Sequence, residues 1–455
     1  MTFTTLTILI IILFVVGYFF IAIESVTKIN KAAIALLMFV GCWTLFMLDP
    51  LQYPAVTDLI PKFTGNVAQT VSSIIETHLG STATTLFFLM GAMTIVELVD
   101  QNGGFNFVRD ALHTTSKRTL MWRIAFLTFF FSAILDNLTT SIVMIMILRK
   151  LVSEKRDRLY YAALIVIAAN SGGAFSPIGD VTTIMLWNKG VITAAGVIKE
   201  IFIPSLVSML IPAYILSLHL KGTLTFKASQ AATVQANEFT AMQRKTIFFL
   251  GVGGLIFVPI FKTITHLPPF VGILLVLGVL WVVTEVFYAQ LKEKEEKGAM
   301  QKRVTNMLRR IDLDTIFFFL GILMAVACLE TIGVLHALGR GLDVTFEGNH
   351  YLVTGIIGVL SSIVDNVPLV AGCMGMYPLE AVGDMAIDGV FWQLLAYCAG
   401  VGGSMLIIGS AAGVVVMGLE KVTFGWYLKN ASWIAFVGYL AGIIVYWLEK
   451  SVIGL

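Results

Sequence analysis

The chain has 455 residues, 58% of them hydrophobic and only 13% charged, with a formal net charge of +2. Soluble domains carry about 25% charged residues. Apolar runs long enough to span a bilayer recur from end to end here, which excludes a soluble globular fold and leaves an all-α polytopic membrane protein.

In chain order, full spans are expected at 5–23, 31–48, 81–99, 198–219, 244–262, 268–288, 312–332 and 432–449. The run at 5–23 is too long and continuous for a cleaved signal peptide, so it is taken as a true first span. Segments 64–80, 103–116 and 334–346 read as short interfacial helices. Four cysteines (Cys42, Cys328, Cys373, Cys398) sit in apolar stretches without metal spacing and are read as small core residues. The expected organisation is two N-terminal transmembrane helices (1–50, a scaffold) and an external loop with an interfacial helix (51–80). A first repeat (81–220), linking helices (221–290), a charged cytoplasmic linker (291–311) and a second repeat (312–455) follow.

The repeats are visible in the residues. Ile134-Leu135-Asp136-Asn137-Leu138 answers Ile363-Val364-Asp365-Asn366-Val367, and Gly172-Gly173 with Pro177-Ile178-Gly179 answers Gly402-Gly403 with Ile407-Ile408-Gly409. Leu89, Gly91, Asp100 and Gly103 answer Phe319, Gly321, Glu330 and Gly333. The offset is 229 residues at the aspartates and 230 elsewhere.

Two stretches, 120–150 and 351–378, each have two apolar legs meeting at Asp-Asn. Legs of roughly 14 residues reach about 21 Å, short of a hydrocarbon core of about 30 Å. Lys117, Arg118 and Arg123 precede the first hairpin and Arg149, Lys150, Lys155, Arg156 and Arg158 follow it, so both its ends are expected in the cytoplasm. The second is flanked by Asn349, His350, Glu380, Asp384 and Asp388, without nearby Lys or Arg, so both its ends are expected outside. This is the pattern of inverted repeats, each with a re-entrant helical hairpin. Stretches 159–190 and 389–420 are interrupted by glycine and proline and read as discontinuous transmembrane helices, whose freed backbone must line a cavity or lie within protein. With the N-terminus outside, 24 of the 30 Lys and Arg fall in the cytoplasm; Lys62, Lys189, Lys199, Lys262, Arg340 and Lys450 fall outside. The dense run from Lys292 to Arg310 reads as a solvated cytoplasmic linker.

Five ionisable residues sit deep in apolar segments: Glu97, Asp136, Asp180, Glu285 and Asp365. Each intramembrane carboxylate costs about 2.5–3.5 kcal/mol on insertion scales and is a functional candidate. Glu97 and Glu285 lie near span ends, within reach of the interface. The three aspartates lie at hairpin tips or helix breaks. Around Asp136 stand Ser132, Asn137, Thr139, Thr140 and Ser141; around Asp180 stand Asn170, Ser171, Gly172, Thr182 and Thr183. Such oxygen-rich surroundings without Lys or Arg suit a hard cation. The alternative is plain helix capping, for which Asp and Asn are also good residues. The second repeat keeps Asp365, Asn366, Gly402, Gly403 and Ser404 but has Ser410 for Asp180 and Gly413 for Thr183, so the halves are not equivalent sites. The six histidines lie near span ends, where one of them can tune activity with pH. No phosphate-binding loop, nucleophile elbow or metalloenzyme histidine motif is present.

With these residues the chain resembles the NhaD-type sodium/proton antiporters of the ion transporter superfamily over residues 80–450. The likeness rests on Asp136-Asn137-Leu138-Thr139-Thr140, on Asn170-Ser171-Gly172-Gly173 through Pro177-Ile178-Gly179-Asp180-Val181-Thr182-Thr183, and on Asp365-Asn366-Val367-Pro368. The resemblance implies export of Na⁺ or Li⁺ against proton entry across a bacterial inner membrane, an elevator-like motion, a homodimer and no cofactor. Related carboxylate transporters carry Ser-Asn-Thr at the hairpin tips, and Asp-Asn moves the site toward cations. The expected mechanism is competition of Na⁺ (or Li⁺) and protons for Asp136 and Asp180, with Asp365 adding a second carboxylate or a structural counterpart. An anion carrier of the same superfamily (dicarboxylate, arsenite or chloride) is the first alternative. A membrane enzyme using an aspartate pair is the second. Nothing points to a nucleic-acid partner.

Overall fold

A computed structural model describes residues 4–22, 27, 29–59, 66–104, 112, 114–220, 222–224, 239–290, 313–363 and 366–453. Its regular elements are helices, and among the described residues the only strand-like pairing is an isolated bridge between Ser116 and Thr223. Eight of these helices are long and apolar enough to cross a membrane. The charged linker 291–311, residues 105–111 of the expected interfacial segment 103–116, and Asp365 lie outside the described residues.

The N-terminal pair is α1 (Thr5–Ala22) and α2 (Lys31–Leu48), followed by α3 (Val67–Gln101). Here the structure departs from the expected organisation. Of the expected interfacial segment 64–80, residues 67–80 are not a separate helix; they open a single helix of 35 residues, about 52 Å long at the usual rise. Nothing in 67–80 breaks a helix: it holds no proline, and Asn66 caps its start by accepting from the Gln69 amide.

The first hairpin is α4 (Lys117–Leu135) and α5 (Asn137–Leu151), hinged at Asp136. The first broken helix is α6 (Lys155–Ala174) and α7 (Val181–Lys189). Then come α8 (Ala194–Ser217), α9 (Ala241–Thr265) and α10 (Pro269–Ala289). The second half begins with α11 (Leu313–Thr331), followed by the amphipathic α12 (Val334–Thr345). Its hairpin is α13 (His350–Ser361) and α14 (Asn366–Met376), and its broken helix is α15 (Val390–Gly402) and α16 (Ala411–Glu420). A π-helical turn, Leu428–Ser432, leads into α17 (Trp433–Leu448). Leg α4 has 19 residues rather than the expected 14 or so, which is nearly a full span.

What makes α4–α5 a hairpin is where its ends meet. Lys117 pairs with Asp157 at 2.6 Å, and Arg158 donates to the carbonyls of Val152 and Ser153. The start of α4, the end of α5 and the start of α6 therefore share one end of the bundle. In the second hairpin His350 contacts Asp384 at 2.9 Å, and Phe391 packs on both His350 and Tyr377. Its ends gather beside the junction of α7 and α8, where the Thr193 amide and hydroxyl donate to Asp388 at 2.7 and 2.6 Å. The opposite end of that second half, Glu420, meets Arg149 and Arg158 of the first. The two hairpins thus enter from opposite ends, and the two broken helices run antiparallel between those ends. Every one of these contacts joins groups that the charge count assigns to the same side.

The repeats match at the level of single hydrogen bonds. Ser132 donates to the Ala169 carbonyl, and Ser361, 229 residues on, donates to that of Ala399 at 2.8 Å. A side chain on Gly172 would strike the Phe129 carbonyl, and one on Gly402 would strike that of Gly358. Each broken helix is thus pressed backbone-to-backbone on its hairpin, which only glycine permits. Frame packing crosses the repeats. Gly91 of α3 faces Ile273 of α10, and its counterpart Gly321 of α11 lies on the backbone of α2 at Ala35. The pair α1–α2, read as preceding the duplication, and the pair α9–α10, read as a link, each dock on the span of the other half.

Two cross-repeat clamps hold the hairpins and broken helices together, and Arg158 and Asp388 occupy equivalent places in them. Glu420, whose side chain is 1% exposed, takes Arg149 at 2.6 Å and Arg158 at 3.0 Å. Removing one partner of a buried pair costs about 3–5 kcal/mol. Glu420→Ala is expected to lower the thermal midpoint of the purified protein well below that of Arg149→Ala, since Arg149 is half-exposed and Arg158 remains. Equal midpoints would remove the clamp from the account. Gly172→Ala and Gly402→Ala should each also depress the midpoint, whereas Gly253→Ala, which meets open space, should not.

Candidate functional site

Asp180 begins α7 as its N-cap, and its Oδ1 accepts from the Thr182 amide at 2.9 Å and the Thr182 hydroxyl at 2.8 Å. It is 1% exposed. Its other oxygen accepts from Asn137 Nδ2 at 2.6 Å. Asn366 Nδ2 lies 3.2 and 3.3 Å from the two oxygens. The amides at both hairpin tips therefore converge on one carboxylate, which sits where the two inverted halves meet. Asn137 also donates to Asn170 Oδ1 at 3.1 Å, and Asn170 donates to Ser410 at 3.0 Å. Ser410 holds the place of Asp180 in the second repeat and has nearly the same backbone angles, −146° and 155° against −145° and 147°. It is a member of the cluster that motif reading noted only as a departure from symmetry; its position at the same helix break was the available signal.

Asp136 is placed differently. Its two oxygens accept from the amide and hydroxyl of Thr139, both at 2.8 Å, so it caps α5, as the capping alternative anticipates. Its link to the Asp180 cluster runs through the next residue, Asn137. Asp136 has φ 76° and ψ 160°, a region held almost entirely by glycine and costing a larger residue about 1–3 kcal/mol. A carboxylate kept at that cost is a functional candidate by conformation as well as by charge.

The remaining candidates divide. Thr183 donates from its hydroxyl to the Asp180 carbonyl at 2.8 Å. Thr140 is fully buried beside the tip, and its Oγ1 has no hydrogen-bond partner. Ser171 is engaged by Ser208 at 2.9 Å rather than by the cluster. Ser404 donates to the Val401 carbonyl. Gly172 and Gly402 serve the backbone contacts described above. Among the described residues no three His, Cys, Asp or Glu side chains gather into a metal cluster. The donor set is one carboxylate surrounded by amides and hydroxyls, which suits a weakly bound hard cation.

Asp136→Gly relieves the backbone while removing the carboxylate. It is expected to unfold at a higher temperature than Asp136→Ala, and the reverse order in a melting experiment would mean that the tip is not strained.

The profile of the CitMHS family, described as citrate transporter, matches residues 18–396. The chain is 45% identical to sodium/proton antiporter 1 of Arabidopsis thaliana over 96% of its own length and 71% of that protein's. It is 34% identical to the Na(+)/H(+) antiporter NhaD of Alkalimonas amylolytica, covering 81% of this chain and 78% of that one. The YdaH transporter of Alcanivorax borkumensis shares the helical fold, with a TM-score of 0.53 over 91% of this chain and 98% of that one at 14% identity. The resemblance in the Asp-Asn and Gly-Gly motifs is thereby extended to nearly the whole chain, which belongs to the CitMHS transporter family, in the NhaD-type sodium/proton antiporter branch of the ion transporter superfamily.

Proposed function

We propose that the chain exports Na⁺ or Li⁺ from the cytoplasm in exchange for protons, with Asp180 as the group for which the two compete. The convergence of Asn137 and Asn366 on Asp180 carries this reading. Both of these donors are neutral, and the carboxylate lies in a water-poor interior. Carboxylate charge is costly to hold there, and either a proton or a monovalent cation lowers that cost. Occupancy by one excludes the other, which is the physical requirement for exchange. The amide oxygens of Asn137, Asn170 and Asn366, the hydroxyls of Thr140 and Thr182, and the carboxylate of Asp136 are the proposed cation ligands or their supports. Asp365 is proposed alongside Asp136 as its counterpart in the second repeat.

Alternating access follows in this proposal from the two clamps. They make both hairpins and both broken helices one body, and that body shifts against the frame of α1–α3 and α9–α11 in an elevator-like motion, within a homodimer. The proposed setting is a bacterial inner membrane with the N-terminus outside. The family description favours a citrate-type anion as the second reading. It meets an obstacle at the site, since an anion needs positive charge or spare donors, and the donors here are spent on Asp180.

In everted vesicles, Asp180→Asn and Asp136→Asn should each reduce Na⁺-induced proton flux to background while wild type responds to Na⁺ and Li⁺. Flux in both variants near the wild-type rate, or uptake of labelled citrate without Na⁺ dependence, would reject the assignment. Thr140→Val should keep the fold, because its hydroxyl has no partner to lose, and should raise the KM for Na⁺ several-fold; an unchanged KM removes Thr140 from the ligand set.

A further inference from the structure

Two adjoining cavities lie at the end opposite the Glu420 clamp, the narrower between the frame and the hairpin body and the wider within the frame beside α12. The wider, about 500 Å³, is lined by residues of α3, α11 and α12, among them Ser73, Thr77, Thr331 and His336. The narrower, about 110 Å³, is lined by Thr82, Thr85, Asn188, Lys189, Ala371 and Met374 among others. His78 and Glu330 line both and form the waist between them. The narrow cavity is polar where a lipid-facing seam is apolar. Thr82 and Thr85 are buried in it, Asn188 donates to Thr85 at 3.3 Å, and Asn188 Oδ1 is buried without a hydrogen-bond partner. Its floor includes Met185 and Ala371, each five residues along a helix from Asp180 and Asn366 respectively. Five residues of helix are about 7.5 Å.

We propose that these cavities are the outer antechamber of the exchange site, a water-filled path for protons and hydrated Na⁺ between the outside and Asp180, with His78 and Glu330 as its proton-accepting waist. The assignment rests on the exchange reading given above. The unpaired Asn188 oxygen and the buried threonine hydroxyls suit both hydrated cations and water. Glu330 supplies negative charge at the waist, while Lys189 of α7 lines the narrow cavity and opposes cation dwell there. Ions are thus passed on rather than stored. His78 accepts or donates a hydrogen bond with Thr331 at 3.2 Å, so its ring has a fixed orientation for proton relay. Glu330 is the repeat counterpart of Asp100 at the far end of α3.

The test places Thr85→Cys and, separately, Asn188→Cys in full-length protein whose four native cysteines are replaced by serine. A membrane-impermeant cationic thiol reagent is added to right-side-out and to everted vesicles. The antechamber requires fast labelling from the outside, slowed several-fold by Na⁺, with loss of exchange on modification. Labelling only from the cytoplasmic side, or none from either side, would overturn it while leaving the Asp180 assignment intact. Loss of exchange in Asp180→Asn is judged separately. Glu330→Gln supplies a measurement that needs no cysteine background. It should shift the dependence of exchange on external pH and raise the external KM for Na⁺ without lowering kcat; a change in kcat alone would assign Glu330 to packing and reject the waist.

Discussion

One buried carboxylate organises this molecule. Asp180 sits at the break of a transmembrane helix, nearly sealed from solvent, and its oxygens accept from the Asn137 amide and from the amide and hydroxyl of Thr182. A continuous helix has no spare amides to offer such a group. The break between Ala174 and Val181 frees the first turn of α7 to cap it, and the hairpin tips bring the side-chain amides. Glycine at 172 and 179 lets the broken helix lie against the hairpin closely enough for this, and Gly173 lets the break fold back on Gly179. Backbone contact, helix break and carboxylate are therefore one structural unit.

Inverted duplication explains how that unit is held. The same serine-to-carbonyl bond, the same glycine-to-carbonyl contact and the same capped break occur twice, related by about 230 residues. Symmetry places the two tips near one point, and the replacement of Asp180 by Ser410 in the second half leaves a single carboxylate at that break. Two carboxylates there would repel each other across a short distance in a poor dielectric. Breaking chemical symmetry while keeping backbone symmetry yields one charge served by both halves. The two clamps repeat the theme: Arg158 and Asp388 hold equivalent positions with unlike chemistry at opposite ends.

Much of this was legible in the residues. The helix pairs meeting at Asp-Asn and both helix breaks follow from Asp-Asn and Gly-Gly, because these features encode helix interruption locally. The continuous α3 was not legible, since a polar segment such as 67–80 looks like a surface helix until its partners are known. The docking of α1–α2 and α9–α10 across the repeats is likewise a tertiary choice, set by small contacts at Gly91 and Gly321 that no periodicity reveals. Motif reading paired Asp136 with Asp180. The observed hydrogen bonds instead run from Asn137 and Asn366 to Asp180, while Asp136 turns back on Thr139, because capping geometry is decided by backbone angles at the tip. The cavities at His78 and Glu330 arise between elements far apart in the chain.

The central claim is that one carboxylate holds either a hydrogen ion or sodium. It is tested most directly by adding Na⁺ to the purified protein in weakly buffered detergent solution and following a pH indicator together with bound ²²Na⁺. The account predicts acidification in proportion to the sodium bound, and neither signal when Asp180 is replaced by Asn. Sodium binding that releases no protons, or that persists without this side chain, would contradict it.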